Sequence, residues 1–368
     1  MLSAADLLDA VRGRRLVLEL ATALASGGDD SLASPLTQAL AQAAYRADDA
    51  RGAGGTLFGW VDGRAATPEE LAASMTATPD DVAARLAEVD VADGLGADLL
   101  DVALARTVDS ARYWQEPDGT DVVCGHPAVR AALAPLAAAI TASSASHWWS
   151  ESVSIDQWSV GWEGREPEIA ADPSSVLATW RESKLEEVAR AARERTDGAN
   201  WSGTWWSTPP HDLARSARLL AGGTPAAVAF VEDSLGWEQA RARRLDFPPG
   251  LTVAEIRTPA DWAALCRDHP LEVTAEVRHD WERATGRVGR WLMPDWPAVA
   301  GVYDAVHLTV AGYLTASGMP VDVGDGFASV VGGWNPDETY WFTDRVRPVD
   351  EPSSWRLHDH ERWVPAGD

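Results

Sequence analysis

The stretch NWSGTWWSTPPHD, residues 200–212, sets three tryptophans within six positions and follows them with Ser207, Thr208 and two prolines. Flat indoles beside small hydroxyls are residue types that stack on a planar ligand and hydrogen-bond its edge. A second cluster, HWWSESVSIDQWSVGW at 147–162, lies upstream.

Three further segments carry groups able to do acid–base or binding chemistry. AFVEDSLGWEQA contains Glu232 and Asp233, candidates for an acid, a base or a ribose-binding carboxylate; Ser234 capping a following helix accounts for the Asp-Ser pair equally well. DAVHLTV places His307 inside an expected strand, where a lone histidine is more often a hydrogen-bonded structural group than a catalyst. GGWNPDETYWF offers Trp334 as a further aromatic contact and Glu338 at the start of a strand, while Asn335 and Asp337 fit a turn.

Together these residues outline a tryptophan-walled site. Trp205, Trp206, Ser207, Thr208, Asp233 and Trp334 are its substrate-binding candidates, and Glu338, Glu232 and His307 its catalytic ones. The sharpest version is a transferase that moves ADP-ribose from NAD: an aromatic wall and a Ser/Thr strand end hold the nucleotide, and Glu338, Glu255 or Glu232 stabilises the ribose cation. The chain has no GxGxxG after a strand, no P-loop, no HExxH and no nucleophile elbow, so no motif names a reaction. His358 and His360 in the terminal HDHER share a face if extended, but two tail histidines lack further ligands, and no metal site is expected.

The elements that must position these groups fall into two regions. Only Trp60 and Trp114 precede residue 148, whereas 17 of the 19 tryptophans follow. Residues 1–145 alternate apolar and polar side chains with helical period and are rich in alanine, which predicts a mostly helical domain. Residues 146–368 mix helices with short strand-like runs, which predicts an α+β domain around a small sheet, carrying the ligand site. Helix starts are legible where a Ser, Thr or Asp cap precedes a proline: Ser34-Pro35, Thr67-Pro68, Thr78-Pro79, Asp172-Pro173 and Thr258-Pro259, with Thr67 and Glu70 forming a capping box. Helices are expected over 173–195, 259–267 and 296–303, and strands over 225–233, 251–256, 304–310, 327–334 and 339–342. TWWST reads as a strand with Thr204, Trp206 and Thr208 on one face and Trp205 and Ser207 on the other, ended by Pro209 and Pro210.

Composition bounds the partners. With 46% hydrophobic residues the chain can bury a substantial core, and no apolar run reaches membrane-spanning length, so a soluble cytoplasmic protein with no membrane partner is expected. Cys124, in a helix-flanking turn, and Cys266, in a helix, have no CxxC or Cys/His spacing around them, which argues against a disulfide framework or structural zinc. Basic residues number 31 and acidic ones 56, and Lys184 is the single lysine. A net charge of −25 opposes binding to phosphate backbones and favours basic partners. Residues 67–90 have the outline of a helix-turn-helix, but Asp80, Asp81, Glu88 and Asp90 surround the lone Arg85, so a regulator that reads DNA is disfavoured and no nucleic acid is expected. The remaining alternative is an acidic interaction module that meets a basic protein through exposed tryptophans.

Overall fold

The computed structural model describes residues 2–27, 34–55, 60–61, 64–91, 95–166, 169, 172–194, 204–233, 236–358 and 362–367. Residues 200–203 of the opening stretch, Ser234 and His360 lie outside the described residues. The chain divides into two compact units, Leu2–Ala103 with Pro117–Ser146, and Leu104–Glu116 with His147–Asp368.

The first unit is helical. It contains α1 (Ala4–Asp9), α2 (Val11–Ala25), α3 (Pro35–Asp49), α4 (Pro68–Ser74), α5 (Pro79–Leu86), the start of α6 (Ala97–Asp109), α7 (Gly119–Gly125) and α8 (Pro127–Ala142). Strands β1 (Trp60–Val61) and β2 (Arg64–Ala65) pair as a short antiparallel hairpin. Ser34, Thr67 and Thr78 each cap a helix whose first residue is proline, and Thr67 with Glu70 and Thr78 with Asp81 form capping boxes. In the helix-turn-helix segment, α5 buries Val82 and Leu86 and packs on α3 and α8, while Arg85 is ion-paired with Glu88 at 3.1 Å. Cys124 lies within α7 rather than in a turn, and both cysteines are free and buried. Among the described residues, no single helix is long and apolar enough to cross a membrane.

The second unit is α+β. Its strands are β3 (Gln157–Trp162), β4 (Ala214–Arg218), β5 (Gln239–Asp246), β6 (Val253–Ile256), β7 (Pro270–Glu272), β8 (Arg290–Pro294), β9 (Ala305–Leu308), β10 (Val321–Gly324), β11 (Phe327–Ser329), β12 (Glu338–Trp341), β13 (Arg347–Pro348), β14 (Ser353–His358) and β15 (Arg362–Pro365). The larger sheet has the order β15-β14-β5-β3-β4-β12-β9-β6, with β13 beside β5; all its pairs are antiparallel except β6 with β9. The smaller has the order β10-β11-β8-β7. Helices α9 (Pro173–Arg193), α10 (Ala226–Ala229), α11 (Pro259–Asp268), α12 (Thr274–Thr285), α13 (Trp296–Ala300) and α14 (Val310–Ala316) complete the unit.

Three expected strands form differently. TWWST is not a strand: residues 204–207 carry no regular structure, and the sheet strand starts only at Ala214. Ser207 makes one rung with Gly332, donating its N–H to the Gly332 carbonyl at 3.0 Å, and Pro209 and Pro210 have no N–H to extend it. PAAVAFVED folds as α10 followed by a turn, because the alanines of AAVA favour a helical turn and a short apolar run has no period to decide otherwise. The run 327–334 is a strand only to Ser329; Val331 makes an isolated bridge to Ser317, Gly333 takes φ 73°, and the Asn335-Pro336-Asp337 turn then leads into β12 of the other sheet. The helix expected over 296–303 ends at Ala300.

The core of this unit is built of indoles. Trp149, Trp262, Trp281, Trp291, Trp296, Trp334 and Trp341 are fully buried. Trp262, Trp296 and Trp334 meet with centroids 5.9–6.2 Å apart, and Trp281 meets Trp291 edge to face at 5.5 Å. Small hydroxyls serve several of the indole N–H groups: Trp262 Nε1 donates to Ser329 Oγ at 3.0 Å and Trp341 Nε1 to Ser216 Oγ at 2.7 Å. Trp149, Trp291 and Trp296 bury theirs with no acceptor among the described residues, at a cost of about 1–3 kcal/mol each. Each buried indole still removes about 150–250 Å² of surface from water, a gross gain of about 4–6 kcal/mol that outweighs this cost.

Replacing Trp334 leaves a cavity between Trp262, Trp296 and Tyr340 and removes its hydrogen bond to the Glu338 carbonyl at 3.2 Å. Trp334→Ala is therefore expected to destabilise the second unit by about 3–5 kcal/mol, read as a lowered urea midpoint in near-ultraviolet circular dichroism. An unchanged midpoint would show that this indole is not a core element.

Candidate functional site

Strand alternation sorts the side chains of the larger sheet onto two faces. Arg215 lies opposite Tyr340 and Trp158 opposite Ala217, so Arg215, Glu338, Tyr340 and Trp162 share one face. Ser216 lies opposite Thr339, and Thr339 opposite His307, so those residues share the other.

The first face carries a pocket of about 520 Å³, within the range of small-molecule sites. Trp162 lines it from the end of β3, Trp205, Trp206 and His211 from the segment leading into β4, Arg215 from β4 itself, and Trp114 from the chain after α6. Val231, Glu232 and Asp233 follow α10, Trp237 precedes β5, and Gly333 and Asn335 precede β12. Five of the lining residues are tryptophans.

The local backbone is held by the core behind it. Trp281 Nε1 donates to the Trp205 carbonyl at 2.6 Å. Gly333 is required where it stands: a Cβ there would come within 2.6 Å of the Trp206 Cβ, at a φ of 73° that already disfavours other residues. Asn335 joins two walls, accepting from the Glu232 N–H at 2.9 Å and donating from Nδ2 to Glu338 Oε1 at 3.4 Å. Asp233 sits at φ 47° and pairs with Arg112 at 3.3 Å, and the Arg112 guanidinium lies 5.9 Å from the Trp114 ring centroid.

Electrostatics divide the polar groups. Arg215 lies 3.5 Å from Glu338 and over the Tyr340 ring at 5.9 Å. Burial pushes Glu338 up, and Arg215 pulls it back only in part. His211, exposed over part of its surface, is held below the ordinary histidine range by the protein packed around it and then by Arg215, so it is neutral at physiological pH. Its Nδ1 lies 3.4 Å from the Tyr340 hydroxyl, which burial and Glu338 keep protonated.

The opposite face carries a buried chain of charges. His307 Nδ1 lies 2.7 Å from Glu255 and Nε2 3.4 Å from Asp337; Asp337 in turn accepts from Arg218 Nε and from the Arg218 N–H, each at 2.9 Å. Arg218 also lies over Trp148 at 4.4 Å and 3.4 Å from Glu151. Both ring nitrogens of His307 are thus committed to carboxylates, and neither is left to take a proton from a substrate. The network also holds Asp337 at φ 62°, the conformation that aims the turn carrying Asn335.

The structure therefore brings Trp205, Trp206, Glu232 and Asp233 together, and places the other candidates elsewhere. Ser207 is buried as a backbone pin, its Oγ accepting from the Gly332 N–H at 3.1 Å, and Thr208 is buried beside Tyr340. Trp334 is core, and Glu338 lies buried behind Arg215 and Asn335, outside the lining. His307 and Glu255 belong to the opposite face. Sequence reasoning missed Trp114, Trp162, His211, Arg215, Trp237 and Asn335, among others, as lining residues. Trp162 and His211 stood inside the quoted tryptophan stretches; Arg215 and Trp114 carried no local signal. Among the described residues no three His, Cys, Asp or Glu side chains gather in a way that could hold a metal ion. Comparison with family models, curated proteins and solved structures finds no match for this chain.

The buried network makes stability depend on pH in a definite direction. Burial opposes the His307 charge, but the hydrogen bonds of Asp337 and Glu255 outweigh it and raise His307 above its ordinary value. Burial likewise opposes the Asp337 charge, and His307 with Arg218 overcomes it, so Asp337 is lowered. A raised histidine stabilises the fold fully below about pH 6.5 and loses that contribution as pH rises through its folded value; a lowered aspartate contributes above about pH 4 and loses it as pH falls. Urea unfolding of the wild type is expected to show stability falling as pH rises above about 6.5, and His307→Gln to be less stable at pH 6 with a flatter slope. Equal slopes in the two proteins would contradict the assignment of a charged His307.

Proposed function

We propose that the tryptophan-rich unit binds a small molecule in the pocket walled by Trp114, Trp162, Trp205, Trp206 and Trp237. The observation that carries the reading is the pocket itself: about 520 Å³, lined by five indoles and by the polar residues His211, Arg215, Glu232, Asp233 and Asn335. Few precisely placed polar groups in a mainly aromatic concavity are what a small-molecule site requires. The cell's cytoplasm is the compartment we assign to this activity.

The catalytic version, ADP-ribosyl transfer from NAD, has one carboxylate left to it. Glu338 is buried behind Arg215 and Glu255 is bound to His307, so the role falls to Glu232. The acidic interaction module needs indoles on a flat or convex surface. Trp206 is the exposed tryptophan among the described residues, and it lines a concavity, which favours the small-molecule reading.

Intrinsic fluorescence with thermal shift, against NAD, nucleotides, aromatic amino acids, small amines and common coenzymes, tests the reading. A bound ligand perturbs the wall indoles and raises the melting point by mass action, by about 2.7 kcal/mol of stability at a hundredfold excess over Kd. One ligand class is expected to give a saturable change that Trp206→Leu abolishes while its unliganded melting point stays near wild type. Binding that survives this substitution, or no response across the panel, would overturn the proposal.

A further inference from the structure

We infer that the ligand of this pocket is a compact organic cation whose head is a methylated ammonium group. The inference rests on the small-molecule reading above and narrows its ligand class.

Ring geometry is the first support. Trp205 and Trp206 meet at 86° with centroids 5.9 Å apart, so they form a corner rather than a slot. A flat ring sandwiched between two indoles needs them parallel and about 7 Å apart, two van der Waals contacts. The parallel pair in this wall, Trp162 and Trp237, is closed on itself at 4.8 Å and 22°. A corner of indole faces fits a rounded group and gives a cation the negative side of more than one ring quadrupole.

Charge is the second. The lining residues include two acids, Glu232, whose carboxylate is buried in the wall, and Asp233, against one guanidinium, Arg215, with His211 neutral. Behind this wall Arg112 pairs with Asp233 at 3.3 Å, and Glu338, whose charged form burial disfavours, lies 3.5 Å from Arg215. The formal balance of the lining residues alone is one negative charge, set in a protein of net charge −25 that concentrates cations around it. A polyphosphate would find Arg215 already occupied by Glu338 and Tyr340.

The third support is that the wall already uses this chemistry internally. Arg112 lies over Trp114 while paired to Asp233, a cation held by an indole face and a carboxylate at once. A ligand cation against Trp205 and Trp206 would meet indoles of the same wall, with Glu232 and Asp233 among the lining residues.

Fluorescence titration with choline chloride and with its uncharged isostere 3,3-dimethylbutan-1-ol, at ionic strength matched with sodium chloride, tests this. Choline is expected to bind saturably and at least about tenfold more tightly than the isostere. Glu232→Gln is expected to weaken choline severalfold and leave the isostere unchanged, with Asp233→Asn as the second variant should the first lower the melting point. Equal binding of choline and isostere would overturn the inference, as would choline failing while a nucleotide or neutral ligand of the wider panel binds and is lost in Trp206→Leu; in both cases the small-molecule reading stands. Failure of choline together with the whole panel would overturn both.

Discussion

An indole is the largest apolar side chain a protein can bury, and it carries one N–H that cannot be left dry without cost. The second unit is organised around that constraint. Trp262 and Trp341 reach the hydroxyls of Ser329 and Ser216, Trp334 reaches the Glu338 carbonyl, and Trp281 reaches the Trp205 carbonyl. The first two bonds tie side chains of separate elements together. The last two end on the backbone of the segments that build the pocket.

That is how core packing becomes a site. Trp205 and Trp206 lie on a stretch with no regular secondary structure, yet Trp281 holds one carbonyl and Gly333 lets the neighbouring chain approach Trp206 closely. Across the pocket, Asn335 presents its amide because the next turn is fixed on the far side of the sheet, where Asp337 is clamped by Arg218 and His307. The turn preceding β12 thus contributes Gly333 and Asn335 to the pocket lining, and the far side of the sheet carries the buried charges around Asp337.

The sequence revealed these parts unevenly. Local chemistry was legible: Ser34, Thr67, Thr78, Asp172 and Thr258 cap helices with proline at the first position, because cap and proline act within one turn of chain. The α+β class of the second unit followed from its mixture of patterns. TWWST and PAAVAFVED misled because strand or coil there depends on a distant partner, Gly332, and on alanine-rich helix propensity outweighing β-branched valines. At the site, Trp205, Trp206, Glu232 and Asp233 were recognisable by type and clustering. Arg215 and Trp114 were not, since they reach the pocket only through strand pairing and chain return. His307 and Glu338 looked reactive in isolation, and only their neighbours show them to be buried and committed.

The central claim is that the tryptophans of this unit divide into a dry set that holds the sheets and a wet set that faces a pocket. Carbon-13 labelling of the indole rings, with a soluble gadolinium chelate as the relaxation agent, tests it most directly. The account predicts that ring signals of Trp162, Trp205, Trp206 and Trp237 broaden while those of Trp262, Trp281, Trp296, Trp334 and Trp341 persist. Uniform broadening, or protection of the first group equal to the second, would contradict it.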